Sequence, residues 1–233
     1  MRLGCISSGS KGNAYLVNDG CSTLLLDCGV TIKKLQVATN FKTSKLSICL
    51  VTHEHKDHSK CAMDLYLRGV PIGATQGTLE AIGLEGVKPI PIAKQFKQDS
   101  FFILPFSIEH DAADPVGFII FSIVTGENLL YVTDTCYVKY DLSKYEFDYI
   151  LIEANHDKEM IIDNVLDKKL HPDLAKRILK NHMSIDTCIS MLNSMNLKHT
   201  KEIDLIHLSD SNSNAQEFKE RVQKATGCVV NVF

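Results

Sequence analysis

The feature that most limits how this chain can fold is repeated along it: its apolar runs keep ending in a histidine or an aspartate. LLLD stops at Asp27, CLVT runs into HEHKDH, FSIEH ends in His110, LLYVTD in Asp134 and DLIH in His207. A strand tip that carries a bare imidazole or carboxylate next to a core is costly unless something neutralises it. Such tips belong on one rim of a sheet, where loops from different strands converge. The densest set is LVTHEHKDHSK, residues 50–60, which holds His53, His55, Asp57 and His58.

The remaining pattern says what carries those tips. Short apolar or alternating runs at 2–7, 14–18, 22–29, 46–52, 101–110, 117–124, 128–134, 148–155, 202–209 and 228–233 read as strands, separated by Gly, Asn and Asp. The run at 46–52 is continuously apolar, as expected of a strand buried on both faces. Helices are predicted near 31–38, 58–68, 158–167, 173–181, 184–195 and 214–225. No Pro- or Gly-rich linker interrupts the 233 residues, so the expectation is a single α/β domain over 1–233, two sheets covered by helices. No apolar run approaches the ~20 residues of a membrane helix. MRLGCISSGSKGN lacks the apolar stretch of a signal peptide, which sets a cytoplasmic location and no membrane partner as the expectation. The eight cysteines are scattered without a CxxC pair, which favours free thiols over a disulfide framework or a zinc ribbon. A net charge of −3 does not advertise a nucleic-acid binder.

Imidazole and carboxylate donors without positioned thiolates suit Zn²⁺, Mn²⁺ or Fe. In an extended segment His53 and His55 point the same way and can serve one ion. Asp57 and His58 sit where the chain turns into a helix and can reach a second. A carboxylate such as Asp134 can bridge two cations. A solvated histidine-rich loop is the plainer alternative for the cluster. Surface or hydrogen-bonded core roles are the plainer alternatives for His110, Asp134 and His207, and a small buried residue is the plainer reading of Cys136.

With those residues in hand, the chain resembles the metallo-β-lactamase superfamily, a four-layer αββα sandwich with a two-metal site on one edge. HEHKDH, with His110, Asp134 and His207 further along the chain, carries the resemblance. SSGSKGNAYLV, HDAADPVGF, IEANHD and IHLSDSN narrow it to the YycJ/WalJ-type branch, associated with DNA processing and 5′-exonuclease-type activity. The resemblance implies one metal on His53, His55 and His110, a second on Asp57, His58 and His207, and Asp134 between them. It also implies that Asp57 orients a bridging hydroxide and that Asp27 supports the ligand loop through hydrogen bonds. The larger nucleases of the superfamily carry an inserted clamp domain. The segment between Asp134 and His207 leaves little room for one, because helices and Glu153 already occupy it.

Glu153, at a strand end, with His182 after a helix, resembles the Glu–His pair of tRNase Z-like nucleases, where the histidine lies near the leaving oxygen. A carboxylate beside a histidine favours the imidazolium, which can donate a proton. The alternative is a histidine that caps a helix C-terminus. Lys168, Lys169, Lys176, Arg177 and Lys180 precede His182, and Lys176 and Lys180 share a helix face. That stripe can follow a phosphate backbone or be a solvated face. Ser8, Ser10 and Asn13 in the first loop, with Ser209, Ser211 and Asn212 after His207, are further candidate contacts to phosphate. His156 and His171 are not taken as ligands, and His199 reads as surface. The expectation is therefore a hydrolase that uses two divalent ions (Zn or Mn, with Fe open) and cleaves DNA, as an exonuclease. Hydrolysis of a small thioester or cyclic phosphodiester in the same site is the rival, and a non-catalytic metal-binding partner protein the third reading.

Overall fold

The computed structural model describes all residues, Met1–Phe233. Its strands form two mixed sheets flanked by helices, the α/β class expected. The chain divides into two compact units, Met1–Ser107 with Ala112–Glu127, and Ile108–Asp111 with Asn128–Phe233.

The first unit opens with β1 (Arg2–Ser7), β2 (Ala14–Asn18) and β3 (Thr23–Leu26), which pair antiparallel in sequence order. The β2–β3 turn is built on Asp19, whose Oδ1 accepts the N–H groups of Cys21 and Ser22. Its Oδ2 accepts the hydroxyls of Ser100 and Ser122. After α1 (Ile32–Ala38), β4 (Ile48–Leu50) adds parallel to β3 with Leu26 beside Leu50, and β5 (Ile72–Gly73) adds parallel to β4. Between them lie α2 (Lys56–Ser59) and α3 (Ala62–Tyr66), and α4 (Gln76–Ala81) comes after β5. Leu25, Cys49, Val51, Leu35, Leu65 and Leu79 pack together under these helices. The unit also holds an antiparallel set, β6 (Phe96–Gln98), β7 (Phe101–Ser107) and β8 (Val116–Ser122), in that order.

The second unit is a parallel sheet of β9 (Asn128–Val132), β10 (Tyr149–Glu153), β11 (Glu202–Ile206) and β12 (Val230–Val232), adjacent in that order. Helices α5 (Lys158–Leu166), α6 (Pro172–Asn181) and α7 (Ile185–Asn193) connect β10 to β11, and α8 (Ala215–Thr226) connects β11 to β12. Each starts on a side chain that satisfies exposed N–H groups of its first turn: Asp157, His171, Ser184 and Asn214. Helices pack on the sheet, and Ile150, Ile152, Ile203 and Leu205 have no exposed surface, so β10 and β11 are mostly apolar. No helix is long and apolar enough to cross a membrane.

Three expected strands end early for one reason. Asp27, Asp134 and His207 adopt positive φ of 55°, 50° and 56°. This left-handed backbone, uncommon outside glycine, turns the chain out of the sheet at the candidate ligand. The helix predicted over 58–68 is split into α2 and α3, because the Cys61 N–H bonds to the Cys28 carbonyl at 3.0 Å instead of continuing the turn. The segment from 69 to 100, which carried no predicted element, supplies β5, α4 and β6.

Buried Asp204 on β11 accepts from Asn231 of β12 at 3.0 Å, while its second oxygen has no partner. Burial pushes its carboxyl up to about 6, against the help of Asn231. The unfolded chain therefore releases this proton first as pH rises. Stability is spared below about pH 4, declines between about 4 and 6, and carries a penalty on the order of 2–3 kcal/mol above that. Asp204→Asn is expected to raise the melting temperature by several degrees at pH 8 and hardly at all at pH 4. A gain of equal size at both pH values would show that the buried charge is not the cause.

Candidate metal centre

In the first unit the parallel register of β3 and β4 puts Asp27 and the segment from Val51 onward at the same end of the sheet. Asp27 is fully buried, and its carboxylate organises the histidine loop. It accepts the Thr52 N–H at 2.8 Å and the Thr52 hydroxyl at 3.0 Å, and takes Nδ1–H of His58 at 2.8 Å. With proton and carboxylate on the Nδ1 side, Nε2 of His58 could serve an ion, the carboxylate–histidine arrangement common at metal sites. The Thr52 hydroxyl also lies 2.9 Å from Nδ1 of His53, and Nε2 of His53 lies 3.1 Å from Nδ1 of His55. Two ring nitrogens so placed can grip one cation. Asp57 is partly exposed, with Oδ2 3.5 Å from Nε2 of His58.

Backbone packing holds this loop from behind. The Asn13 N–H donates to the Asp57 carbonyl, Gly29 N–H to the Asn13 carbonyl and Cys28 N–H to the His58 carbonyl, all within 2.7–2.8 Å. A Cβ on Gly29 would overlap the Asp57 carbonyl, and one on Gly12 would overlap the carbonyl of Gly29. The glycines in SGSKGN and DCG thus permit three chain segments to touch through their backbones. Asn13 is buried within this crossing: its amide reaches the Gly9 and Asp57 carbonyls and lies 3.1 Å from Nε2 of His58. Ser8 accepts from the Tyr15 hydroxyl at 2.8 Å.

In the second unit the three central strands run parallel, so their C-terminal ends share an edge, the usual place for ligands on such sheets. Asp134, Glu153 and His207 lie at or just beyond the ends of those strands, and all three are almost completely buried. Glu153 Oε2 accepts the N–H groups of Thr135 at 3.1 Å and Met183 at 3.0 Å. Its Oε1 lies 2.7 Å from Nδ1 of His182 and 3.1 Å from Nδ1 of His207. Burial works against ionisation of Glu153, but the His182 charge and the hydrogen bonds outweigh it and hold the carboxyl below its ordinary value. For His182 burial likewise opposes charge, yet Glu153 and Asp134 push its imidazolium up to about 11. Asp134 Oδ1 lies 3.2 Å from His207 Nδ1, and its Oδ2 lies 3.8 Å from Nε2 of His110. His110 turns Nδ1 toward the Asn181 carbonyl at 3.3 Å, which leaves Nε2 as its donor.

Asp134, Glu153, His182 and His207 offer donor atoms within 4.8 Å of one another. Two buried carboxylates facing imidazoles match the chemistry of a divalent cation. Cys136 is half-buried, and burial pushes its thiol up, away from the thiolate that binds metal. His156 is buried with neither ring nitrogen partnered, and burial pushes it down to about 4, so it is neutral at pH 7.

The basic run before His182 is interleaved with acids. Lys169 pairs with Asp167 at 2.8 Å, Lys176 lies 3.6 Å from Asp173, and Arg177 pairs with Asp111 at 3.2 Å. Lys180 is exposed in the last turn of α6. Asn212 is buried and bonds Ser209 at 3.1 Å and Asn164 at 2.9 Å, so the polar loop after His207 is tied to itself and to α5. Two residues with clear roles are not among those the sequence singles out. Thr52 orders Asp27 and His53, and Asn155 donates to the His207 carbonyl at 2.9 Å. Each is a polar residue at the end of an apolar run, beside or near a donor, and that adjacency is the signal that could have found it.

Known proteins resemble this chain in sequence and in fold. A family model described as a β-lactamase superfamily domain matches residues 22–208. Exodeoxyribonuclease WalJ of Streptococcus pneumoniae serotype 2 (strain D39 / NCTC 7466) is 30% identical over 228 residues, covering 89% of this chain and 81% of that protein. Exodeoxyribonuclease YycJ of Bacillus anthracis is 28% identical over 233 residues, covering 91% of this chain and 84% of that one. Among solved structures, the metallo-β-lactamase fold protein YhfI from Bacillus subtilis superposes with a TM-score of 0.75 at 17% identity, covering 99% of this chain and 95% of that one. That last likeness concerns the fold.

The backbone crossing behind the histidine loop gives a direct test. Gly29→Ala is expected to cost more than about 3 kcal/mol or to abolish soluble expression, because a carbonyl must move. Gly86→Ala, where a Cβ meets nothing within 4 Å, should change stability by less than about 0.5 kcal/mol. Thermal melts of the two variants settle the matter; equal behaviour would show that the crossing is not tight.

Proposed function

Because the chain belongs to the β-lactamase superfamily and is a metal-dependent hydrolase, we propose that it cleaves phosphodiester bonds in DNA, as an exonuclease. In this reading His53, His55 and His110 hold one divalent ion and Asp57, His58 and His207 a second, with Asp134 shared, and the two units serve one catalytic domain. Zn²⁺ or Mn²⁺ suits these nitrogen and oxygen donors, with Fe the third option. Bound cations of this kind supply Lewis-acid activation of water and offset phosphate charge. The relatives from S. pneumoniae and B. anthracis are both named exodeoxyribonucleases, which supports DNA as the substrate.

The observation that carries the reading is the Glu153–His182 pair at 2.7 Å. Two backbone N–H groups fix the carboxylate, and the carboxylate fixes the imidazolium. Positive charge on the neighbouring donors would lower the high proton affinity of His182, which favours transfer of its proton to a leaving group. A sugar alkoxide leaves poorly and needs a proton; a thiolate does not. A built-in acid therefore favours phosphodiester over thioester hydrolysis. Asp57 is partly exposed beside His58, and in this reading it orients the attacking water. Lys176 and Lys180, with Ser8 and Ser209, remain proposed contacts to the phosphate backbone. Asn13 and Asn212, the other two proposed contacts, support their loops by hydrogen bonds.

End-labelled single-stranded and duplex DNA incubated with the protein in Mn²⁺ and then Zn²⁺ should shorten progressively from one end. Elemental analysis of the loaded protein should approach two equivalents. No cleavage in either metal, or a stoichiometry that stays at one, would refute the corresponding claim. His182→Ala should retain metal yet slow DNA cleavage by about 10²–10⁴-fold, the usual worth of a general acid. Hydrolysis of bis(4-nitrophenyl) phosphate, whose leaving group needs little protonation, should fall far less. Equal losses on both substrates would make His182 a phosphate-binding group instead.

A further inference from the structure

A cavity of about 410 Å³ lies in the second unit, walled by Tyr137, Tyr140 and Leu142 on one side and by Met191 and Met195 on the other. We propose that this cavity is a nucleobase subsite, which holds an unstacked base of a single-stranded DNA end while the adjoining phosphate lies at the metal centre. The proposal rests on the nuclease reading and extends it to how the strand is held.

Both walls grow out of the acid pair. Asp134 leads directly into the Tyr137 segment, and the Tyr137 carbonyl accepts the Thr135 hydroxyl at 2.8 Å while the Thr135 N–H donates to Glu153. The three residues from Asp134 to Tyr137 span at most about 10 Å, a length that one or two nucleotides can bridge. The opposite wall is α7, which begins just after His182. Each wall is thus tied by a short stretch of chain to the residues of the acid pair.

Its chemistry selects a base over a phosphate. Tyr137 and Tyr140 leave 46% and 47% of their surface exposed, so two phenol rings face solvent on one short loop. Half-open aromatic rings beside a phosphodiester site are the standard platform for unpaired bases, whose faces stack on them without regard to sequence. Methionines on the far wall are unbranched and adapt to purine or pyrimidine outlines. Asp141 in the lining, held by the N–H and hydroxyl of Ser143, repels a phosphate. The same carboxylate accepts hydrogen bonds from the exocyclic amino groups of adenine, cytosine or guanine.

The test measures binding separately from cleavage. A fluorescent single-stranded octanucleotide is titrated into metal-loaded protein at a metal and temperature where cleavage is negligible, beside the same strand made abasic at its terminal positions. The abasic strand should bind about 5- to 100-fold more weakly, the worth of lost stacking. Tyr137→Ala with Tyr140→Ala should erase that difference, and Tyr137→Phe with Tyr140→Phe should preserve it. In the wild-type protein, a terminal 5-iodocytosine should photocrosslink to Tyr137 or Tyr140. Equal affinity for intact and abasic strands, or crosslinks only elsewhere, would overturn the subsite. Crosslinking at these tyrosines in a protein that never cleaves DNA would uphold the subsite and sink the nuclease reading instead.

Discussion

Asp27 carries a negative charge out of contact with water, and the order of the histidine loop depends on how that charge is met. Its oxygens take the Thr52 N–H, the Thr52 hydroxyl and the His58 ring N–H. Each of these bonds is charge-assisted and stronger than a neutral one, and none can be removed without leaving a buried carboxylate short of a partner. One side chain therefore sets the start of the loop, the tautomer of His58 and, through Thr52, the tilt of His53. The positive φ of Asp27 aims the carboxylate at this task. Such backbone strain persists only where surrounding structure enforces it, and here the crossing at Gly12 and Gly29 does so.

The second unit solves the same electrostatic problem at Glu153. There the donors are two backbone N–H groups and two imidazoles. The outcomes differ because the partners differ. His58 gives its Nδ1 proton to Asp27 and turns Nε2 toward Asn13 and Asp57, an orientation that suits a ligand. His182 has Glu153 and Asp134 beside it and is driven to the charged form, which suits a donor of protons. Two buried carboxylates thus meet their histidines differently: Asp27 accepts the Nδ1 proton of His58, and Glu153 with Asp134 holds His182 in its charged form.

Much of this was legible because parallel strands place their ends on a common edge: in the first unit Asp27 lies beside the start of the histidine loop, and in the second Asp134 and His207 follow neighbouring strands. The pairing of Glu153 with His182 was also readable as a resemblance, and the folded chain holds the two at bonding distance. What the sequence withheld concerns direction and distant partners. Nothing local says that Asn13 turns inward, because its burial depends on glycines that let segments far apart in the chain touch. Lys176 and Lys180 read as a stripe on one helix face, but the sequence does not show that Asp111 comes to lie beside Arg177 or that Asp173 lies beside Lys176. The split between α2 and α3 was hidden for the same reason: the carbonyl that diverts Cys61 belongs to Cys28.

The crossovers that join β10 to β11 have a consequence for the order in which the molecule is made. Glu153 and His207 touch although 54 positions separate them, and three helices lie in between. Closing so long a loop is slow compared with forming its helices. A growing chain therefore carries Glu153 as an ordinary titratable carboxyl for some time, with its future neighbours not yet synthesised. The second unit gains its set of donors in one late step. Any cation that these donors hold would be taken up only by the finished fold, and would depend on which ions surround the protein when β11 docks.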